Sequence, residues 1–318
     1  MRYFLDFEKP IAELESKIDE LRKMSEAEDL NIAEEVAKLT EKADRQLRAT
    51  YAKLTAWQKT QVARHPERPK ANDFIRRLIT DWTPLAGDRA YAEDAAILSG
   101  LGRFRGRSVV VLGTEKGVDT ESRVAHNFGM ARPEGYRKAR RLIDLAGRFG
   151  LPVLTFVDTS GAFPGIDAEA RGQAEAIARS IEACLDAPVP VVATIIGEGG
   201  SGGAIALAAG DAVLMMEHAI YSVISPEGCA AILWKDASQA PAAAEALKLT
   251  AEDLKRLKLI DTVVPEPLGG AHRDPEAAIA AVGEAVQAAL TPLLAVDATV
   301  LRARRWEKFL EMGRETIA

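Results

Sequence analysis

Two glycine-rich stretches hold the residues best suited to chemistry, each where an apolar, strand-like run hands over to a helical one. The first is Asp158-Thr-Ser-Gly161-Ala-Phe-Pro164-Gly165. The second, Gly197-Glu-Gly-Gly200-Ser-Gly202-Gly203-Ala204, puts five glycines into seven residues. Glycine lets the backbone take positive φ and lets a ligand come close to the main chain. A helix N-terminus at such a loop points free N–H groups at an anion or oxyanion. In open α/β sheets ligands bind beyond the carboxyl ends of strands, where both loops would lie. The structural alternative, tight turns for close helix–strand packing, weighs more for the first loop than for the second.

The second loop also matches two other patterns. Gly197-Glu-Gly199-Gly-Ser-Gly202 fits G-x-G-x-x-G, with Glu217 at a following strand end to meet a ribose. The helix it opens stops at Gly210-Asp211, too short for the crossover of a dinucleotide fold. Gly199-Gly-Ser201-Gly-Gly203 fits the G-x-S-x-G nucleophile elbow, with His218 or His272 and Asp211 or Asp261 available as triad partners. A serine hydrolase built on Ser201 is therefore the alternative function, although neither histidine sits in a recognisable catalytic loop. The four histidines (65, 126, 218 and 272) and the two cysteines show no metal-ligand spacing, and no metal is expected. Cys184 and Cys229 read as buried small hydrophobes. Basic clusters occur at Arg137-Lys138-Ala-Arg140-Arg141, at Arg103, Arg105 and Arg107, and at Arg302, Arg304 and Arg305. Each reads as a solvated face; the first is also suited to a phosphate-bearing ligand such as coenzyme A.

The elements that position these loops follow from periodicity. Ile11, Leu14, Ile18 and Leu21 recur at helical spacing after Pro10. After a polar break, Asn31 and Glu34 form a capping-box pattern, and Val36, Leu39, Ala43, Leu47, Tyr51 and Leu54 predict one long amphipathic helix. Pro66 and Pro69 end it. These helices must lie on something, as a packing layer or a subunit contact. A β-hairpin is expected from 96–103 and 107–113, then a helix over 133–149. Strands at 152–158, 190–196, 212–216, 220–224 and 261–264 alternate with helices at 168–185, 203–209 and 227–234. Such alternation predicts a parallel sheet covered on both faces. Helices after Asp274-Pro275 complete the chain.

Composition sets the class. The 318 residues carry 41 Lys+Arg against 47 Asp+Glu, with 47% apolar and 28% charged residues, as in ordinary globular domains. Mild acidity argues against non-specific nucleic-acid binding. Two cysteines exclude a disulfide scaffold and a four-cysteine zinc site. No apolar run approaches the ~18 residues of a membrane helix. The first residues carry acids and no apolar signal core, so a reducing, cytoplasmic location is expected.

Long segments resemble the alpha-subunit family of bacterial acetyl-CoA carboxylase carboxyltransferase. They are Phe4–Glu8 with Pro10–Glu15, Trp57, Ala63-Arg-His-Pro-Glu-Arg-Pro69, Leu85–Tyr91, Asn127–Met130, Pro133–Lys138, Gly197–Ala204, Tyr221–Ala230 and Pro265–Arg273. The resemblance implies an α/β, crotonase/ClpP-like superhelix of ββα units with a helical N-terminal extension and C-terminal helices. It implies transfer of a carboxyl group from carboxybiotin, delivered on a biotin carboxyl carrier protein, to acetyl-CoA, giving malonyl-CoA for fatty acid synthesis. A beta subunit would complete an α2β2 assembly and carry the zinc, with a separate biotin carboxylase using ATP and no membrane involved. No cofactor is expected on this chain itself. Another crotonase-like acyl-CoA enzyme is a further alternative.

By the same resemblance the N–H groups of Gly202 and Gly203 form an oxyanion hole for biotin. Gly161, Ala162, Phe163 and Gly165 line its pocket with Gly200 and Ser201, and Ser225, Pro226, Glu227 and Gly228 shape a neighbouring wall. Lys116, Arg137 and Lys138 are the expected contacts for coenzyme A phosphates. Ser201 becomes a spacer or supporting donor. The first loop departs from the family's usual Thr-Pro-Gly-Ala-Tyr-Pro-Gly at Ser160 and Phe163, so a tyrosine hydroxyl is missing and backbone donors remain. Gly113-Thr-Glu-Lys-Gly117 replaces a His-Gln-Lys form. The expected organisation is a helical region at 1–80 for subunit contact, a core at 81–268 and C-terminal helices at 269–318.

Overall fold

A computed structural model describes residues 3–28 and 32–314. Four helices come first: α1 (Lys9–Glu28), α2 (Ala33–Tyr51), α3 (Ala56–Ala63) and α4 (Ala71–Leu78). The expected long helix therefore stops at Tyr51, and Leu54 lies beyond it. A new helix starts because Thr55 Oγ1 accepts the Gln58 N–H while the Gln58 side chain accepts the Thr55 N–H, a capping box the periodicity concealed. The box expected at Asn31 falls outside the described residues. Leu14 and Ile18 of α1 pack on Ala43 of α2, and Leu5, Ile11, Leu47, Tyr51 and Val62 form a second small cluster. The N-terminal helices thus share a modest core and are then bolted down by ion pairs. Arg273 reaches Glu15 at 2.7 Å, Lys59 reaches Glu252 at 2.6 Å, and Arg68 reaches Glu266 at 2.5 Å.

The central sheet begins with β1 (Ile79–Pro84), β2 (Ile97–Phe104) and β3 (Arg107–Thr114), an antiparallel set. The hairpin closes where the sequence placed it, pairing Phe104 with Arg107. Strand β1 was not expected. It is a mostly exposed edge strand, so its polar residues show no apolar run, and Pro84 is tolerated at such an edge. After α5 (Thr120–Ala125) and α6 (Pro133–Phe149), β4 (Val153–Thr159) continues the sheet in parallel. The single helix expected over 168–185 is two, α7 (Ile166–Ala170) and α8 (Gln173–Asp186), broken where Gly172 takes φ +80°.

Next come β5 (Val191–Gly200), α9 (Ser201–Ala208), β6 (Ala212–Met216), β7 (Ile220–Ser222) and α10 (Pro226–Leu233). Helices α11 (Ala240–Leu247) and α12 (Ala251–Arg256), neither expected, precede β8 (Thr262–Val264). The order β1-β2-β3-β4-β5-β6-β8 is parallel from β3 onward. Strand β5 is forked: Val192–Ile195 pair with β6, while Glu198–Gly200 pair with β7. The glycine loop is therefore strand as far as Gly200, not a loop from Gly197. Strands β4 and β5 are buried almost throughout, which is why both read as continuous apolar runs.

Helix α13 (Pro275–Leu293), capped by Asp274, buries Ile279, Val282, Val286 and Leu290 in the main core, and α14 (Ala298–Glu311) follows. Arg305 of α14 is not part of a solvated face. It is 1% exposed, pairs with Asp211 at 2.6 Å, and donates to the carbonyls of Cys184, Ala187 and Val189. Among the described residues no single helix is long and apolar enough to cross a membrane.

Candidate active site

Strands β4 and β5 are parallel neighbours, and after a register shift beyond Val157 they pair Thr159 with Gly199, so the two glycine loops emerge side by side. Their contact leaves no room for side chains. A Cβ on Gly200 would lie 2.3 Å from Ser160 C and O, and one on Gly203 would lie 2.6 Å from Gly161 C and 2.8 Å from Ala162 N. Gly200 is the N-cap of α9, so Ser201, Gly202 and Gly203 form its first turn. N–H groups of a first turn have no intrahelical acceptor. Ser201 holds φ +52°, a costly conformation for a non-glycine residue, at the exposed tip of this turn.

A cavity of about 580 Å³ opens here. Ser160, Gly161, Ala162, Ser201 and Gly202 form one wall, Val223, Ile224, Ser225 and Glu227 the other, with Arg64 and Ile177 between them. Gly203 is buried and is not among the lining residues. Ser225 caps α10 by accepting the Gly228 N–H at 3.1 Å, with Pro226 buried in the first helical turn. Phe163 and Gly165 stand back from the cavity and shape its loop. The Phe163 N–H donates to Ala131 O, its ring lies under the Arg132 guanidinium, and Gly165 starts α7.

A chain of charges runs beneath both loops. Lys116 Nζ is 2.9 Å from Asp158 Oδ1 and from Glu198 Oε2. Arg64 donates to Glu198 Oε1 at 2.9 and 2.6 Å and to Glu227 Oε1 at 2.6 Å. Asp158 also accepts the Glu198 N–H at 2.9 Å, tying one loop to the other. Burial disfavours every charge here, yet for Lys116, Asp158 and Glu198 the partners outweigh it. Lys116 is held above its usual range by Asp158 and Glu198. Asp158 and Glu198 are held below theirs, the first by Lys116 and Lys70, the second by Lys116 and Arg64. For Lys70, 3.9 Å from Asp158, burial wins and its ammonium falls below the usual lysine range.

Arg64 and Glu198 were missed as site residues. Arg64 stands in the Ala63–Pro69 segment quoted for the family resemblance, and Glu198 is the charged residue set among the five glycines; those were the available signals. One of the expected phosphate contacts needs correction. Lys138 is 1% exposed and bound to Glu93 and to Asp94 O, so it faces no ligand. Lys116 is engaged by two carboxylates. Arg137 lies elsewhere, in a cleft of about 450 Å³ along α6 with Arg140, Arg141 and Arg148.

The four residues weighed as triad partners for Ser201 are each engaged with other residues. Asp211 is held by Arg305 and Asp261 by Lys308. His218 is buried against Tyr51, and His272 is stacked on His65 at 3.7 Å. Glu217, offered to a ribose by the dinucleotide pattern, accepts the Glu266 N–H at 3.1 Å. His65 and His272, distant in sequence, do bring ligand atoms together with Glu8. However, His65 Nδ1 accepts the Glu67 N–H with Nε2 at Tyr3 O, and Glu8 accepts from Leu5 N–H and Tyr51 Oη. Burial pushes the Cys184 thiol up to about 12, as suits an inert core cysteine.

Comparison with known proteins identifies the family. A family model described as acetyl co-enzyme A carboxylase carboxyltransferase-like matches residues 4–313. The acetyl-coenzyme A carboxylase carboxyl transferase subunit alpha of Gluconacetobacter diazotrophicus is 68% identical over 318 residues, covering all of both chains. That of Acidiphilium cryptum is 70% identical over 314 residues, 99% of each. Among solved structures, the 12S transcarboxylase core superposes with a TM-score of 0.58 at 18% identity over 74% of this chain and 44% of that one. The beta subunit of Pseudomonas aeruginosa geranyl-CoA carboxylase gives 0.56 at 17%, over 77% and 46%. These likenesses show a shared fold. With near-complete coverage and two-thirds identity to named relatives, the chain belongs to the acetyl-CoA carboxylase carboxyltransferase alpha-subunit family.

Proposed function

We propose that this chain supplies the carboxybiotin half of a carboxyltransferase active site. Carboxybiotin, carried on a biotin carboxyl carrier protein, enters the 580 Å³ cavity. Its N–C bond to the carboxyl group breaks, CO2 departs, and the electron pair leaves negative charge on the ureido oxygen. The first-turn N–H groups of Gly202 and Gly203 receive that charge. One such donor contributes roughly 3–4 kcal/mol of transition-state stabilisation in comparable sites. The biotin anion then takes a methyl proton from acetyl-CoA, and the resulting enolate attacks CO2 to give malonyl-CoA. No serine nucleophile is required, and Ser201 serves to turn the chain into α9.

The enolate hole, most coenzyme A contacts and the zinc belong in this reading to a beta subunit, in an α2β2 cytoplasmic assembly fed by a separate biotin carboxylase. The N-terminal region, residues 1–80, serves subunit contact, and no cofactor is resident on this chain. Lys116 and Arg137 are the residues offered to coenzyme A phosphates, each already paired with carboxylates, Lys116 with Asp158 and Glu198 and Arg137 with Asp88 and Glu134. The observation that supports the reading is the packing of the two loops, too close for any Cβ at Gly200 or Gly203, beside a cavity that Gly202 lines. The test reconstitutes the chain with a beta subunit and follows malonyl-CoA decarboxylation in the presence of biotin. Ser201→Ala should remain active and Gly203→Val should be inactive. The opposite pair of results would remove the oxyanion-hole assignment.

A further inference from the structure

Arg64 sits at the C-cap of α3, outside the sheet that carries the loops, yet its guanidinium bridges both walls of the cavity. Glu198, on one side, precedes Gly200 by two residues within β5; Glu227, on the other, follows Ser225 by two within the first turn of α10. The two carboxylates come from separate elements, and Arg64 contacts each at 2.6 Å, a side-chain bridge added to the backbone pairing of β5 with β7. Its environment is asymmetric: the Glu198 side chain is 7% exposed, that of Glu227 39%. A planar guanidinium can hold two carboxylates at fixed angles, which a lysine ammonium cannot. Four residues on, Arg68 Nε donates to Ile196 O at 2.7 Å while its other nitrogens bind buried Glu266. The Arg64–Arg68 turn therefore grips β5 at two points immediately before the glycine turn.

We propose that Arg64 is a positioning residue that sets the separation between the glycine wall and the α10 wall, and so the fit of the biotin ring between them. This rests on the cavity being the carboxybiotin site. Arg64 acts through Glu198 and Glu227 and not by contact with reacting atoms. Loosening a positioned wall by near 1 Å costs on the order of 10- to 100-fold.

The experiment measures both Michaelis constants in biotin-dependent malonyl-CoA decarboxylation by the chain reconstituted with a beta subunit. The variants are Arg64→Met, Glu227→Gln, their double mutant and Gly203→Val. Arg64→Met should raise KM for biotin about 10-fold or more while KM for malonyl-CoA stays within about twofold, because only the biotin wall has moved. Glu227→Gln should show part of the same rise, and the double mutant should be no worse than Arg64→Met, since residues acting through one contact are not additive. A simple loss of folded protein would lower kcat and leave both KM values unchanged, which would overturn the proposal. Full additivity in the double mutant would also overturn it, by making Arg64 a direct substrate contact. If Arg64→Met does not assemble, Arg64→Lys keeps a charge beside Glu198 but loses the fork. It should give the same KM split at smaller size, and unchanged constants would count against the proposal. A fully active Gly203→Val would instead remove the cavity as the site. An inactive Gly203→Val beside normal Arg64 variants would remove the Arg64 assignment alone.

Discussion

Alanine substitutions at the two amide-bearing glycines separate backbone geometry from residue identity. At Gly203 a Cβ would fall 2.6 Å from Gly161 C and 2.8 Å from Ala162 N, main-chain atoms that cannot rotate aside. Ordinary contact begins at 3.4 Å, so the start of α9 and the facing loop must part by about 0.8 Å (3.4 less 2.6). At Gly202 the nearest atoms are Ile177 methyls at 3.6 Å, so alanine fits and the N–H is kept. A shift approaching 1 Å at a preorganised site costs on the order of 100-fold in rate, equivalent to about 2.7 kcal/mol of barrier. Gly203→Ala should therefore lose about 100-fold in kcat for malonyl-CoA decarboxylation by the reconstituted enzyme, and Gly202→Ala less than about 10-fold. Overpacking also destabilises, by about 1–3 kcal/mol, so rates are compared well below each variant's thermal midpoint. Equal losses in the two variants, or a wild-type rate for Gly203→Ala, would refute the argument that loop separation controls the amides.

Two further expectations concern stability. Arg305→Met leaves Asp211 buried without its cation and strands the carbonyls of Cys184, Ala187 and Val189. It should lower stability by about 3–5 kcal/mol in urea unfolding, and a loss under 1 kcal/mol would contradict this anchoring role. The second concerns pH. Burial lowers the pKa values of His65 and His218, and burial with His65 and Arg68 nearby takes His272 to about 3. Histidines that stay neutral when folded favour the folded state above the unfolded value of about 6.5, and that contribution is lost as pH falls toward the folded values. The urea midpoint should accordingly drop between pH 7 and pH 5, with amide exchange rising first where the N-terminal helices meet the core. A midpoint equal or higher at pH 5 would contradict the reading.

Legibility in the sequence tracked how local each cause was. Strands β4 and β5 are buried on both faces, so Val153–Val157 and Val191–Ile196 announce themselves as apolar runs. Helix α6, with Pro133 at its start and Gly150 in the left-handed C-cap, is marked at both ends. Edge strand β1 was hidden because its outward residues are polar and only β2 pairs with it. Helix α11, Ala-Pro-Ala-Ala-Ala-Glu-Ala-Leu, has few large apolar residues to reveal a face. Continuation of β5 through Gly199 and Gly200 depends on pairing with β7, a tertiary event that glycine propensity argues against. The glycine loops themselves were legible as chemistry. The Arg64–Glu198–Glu227 bridge was not, because it joins three segments widely separated along the chain. Lys138, read from its basic neighbours as a ligand contact, is drawn inside by Glu93 and the Asp94 carbonyl.

The central claim is that a backbone N–H of the α9 first turn, and no side chain, stabilises charge on biotin. Replacing Gly203 by glycolate converts that amide to an ester and removes the N–H while leaving the shape of the loop almost untouched. Incorporated into the chain and reconstituted with a beta subunit, this substitution should lower kcat for biotin-dependent malonyl-CoA decarboxylation by about 100- to 1000-fold, as expected for loss of one oxyanion-hole donor. KM for malonyl-CoA should stay near that of the unmodified enzyme. A wild-type kcat from the ester-bearing chain would contradict the account.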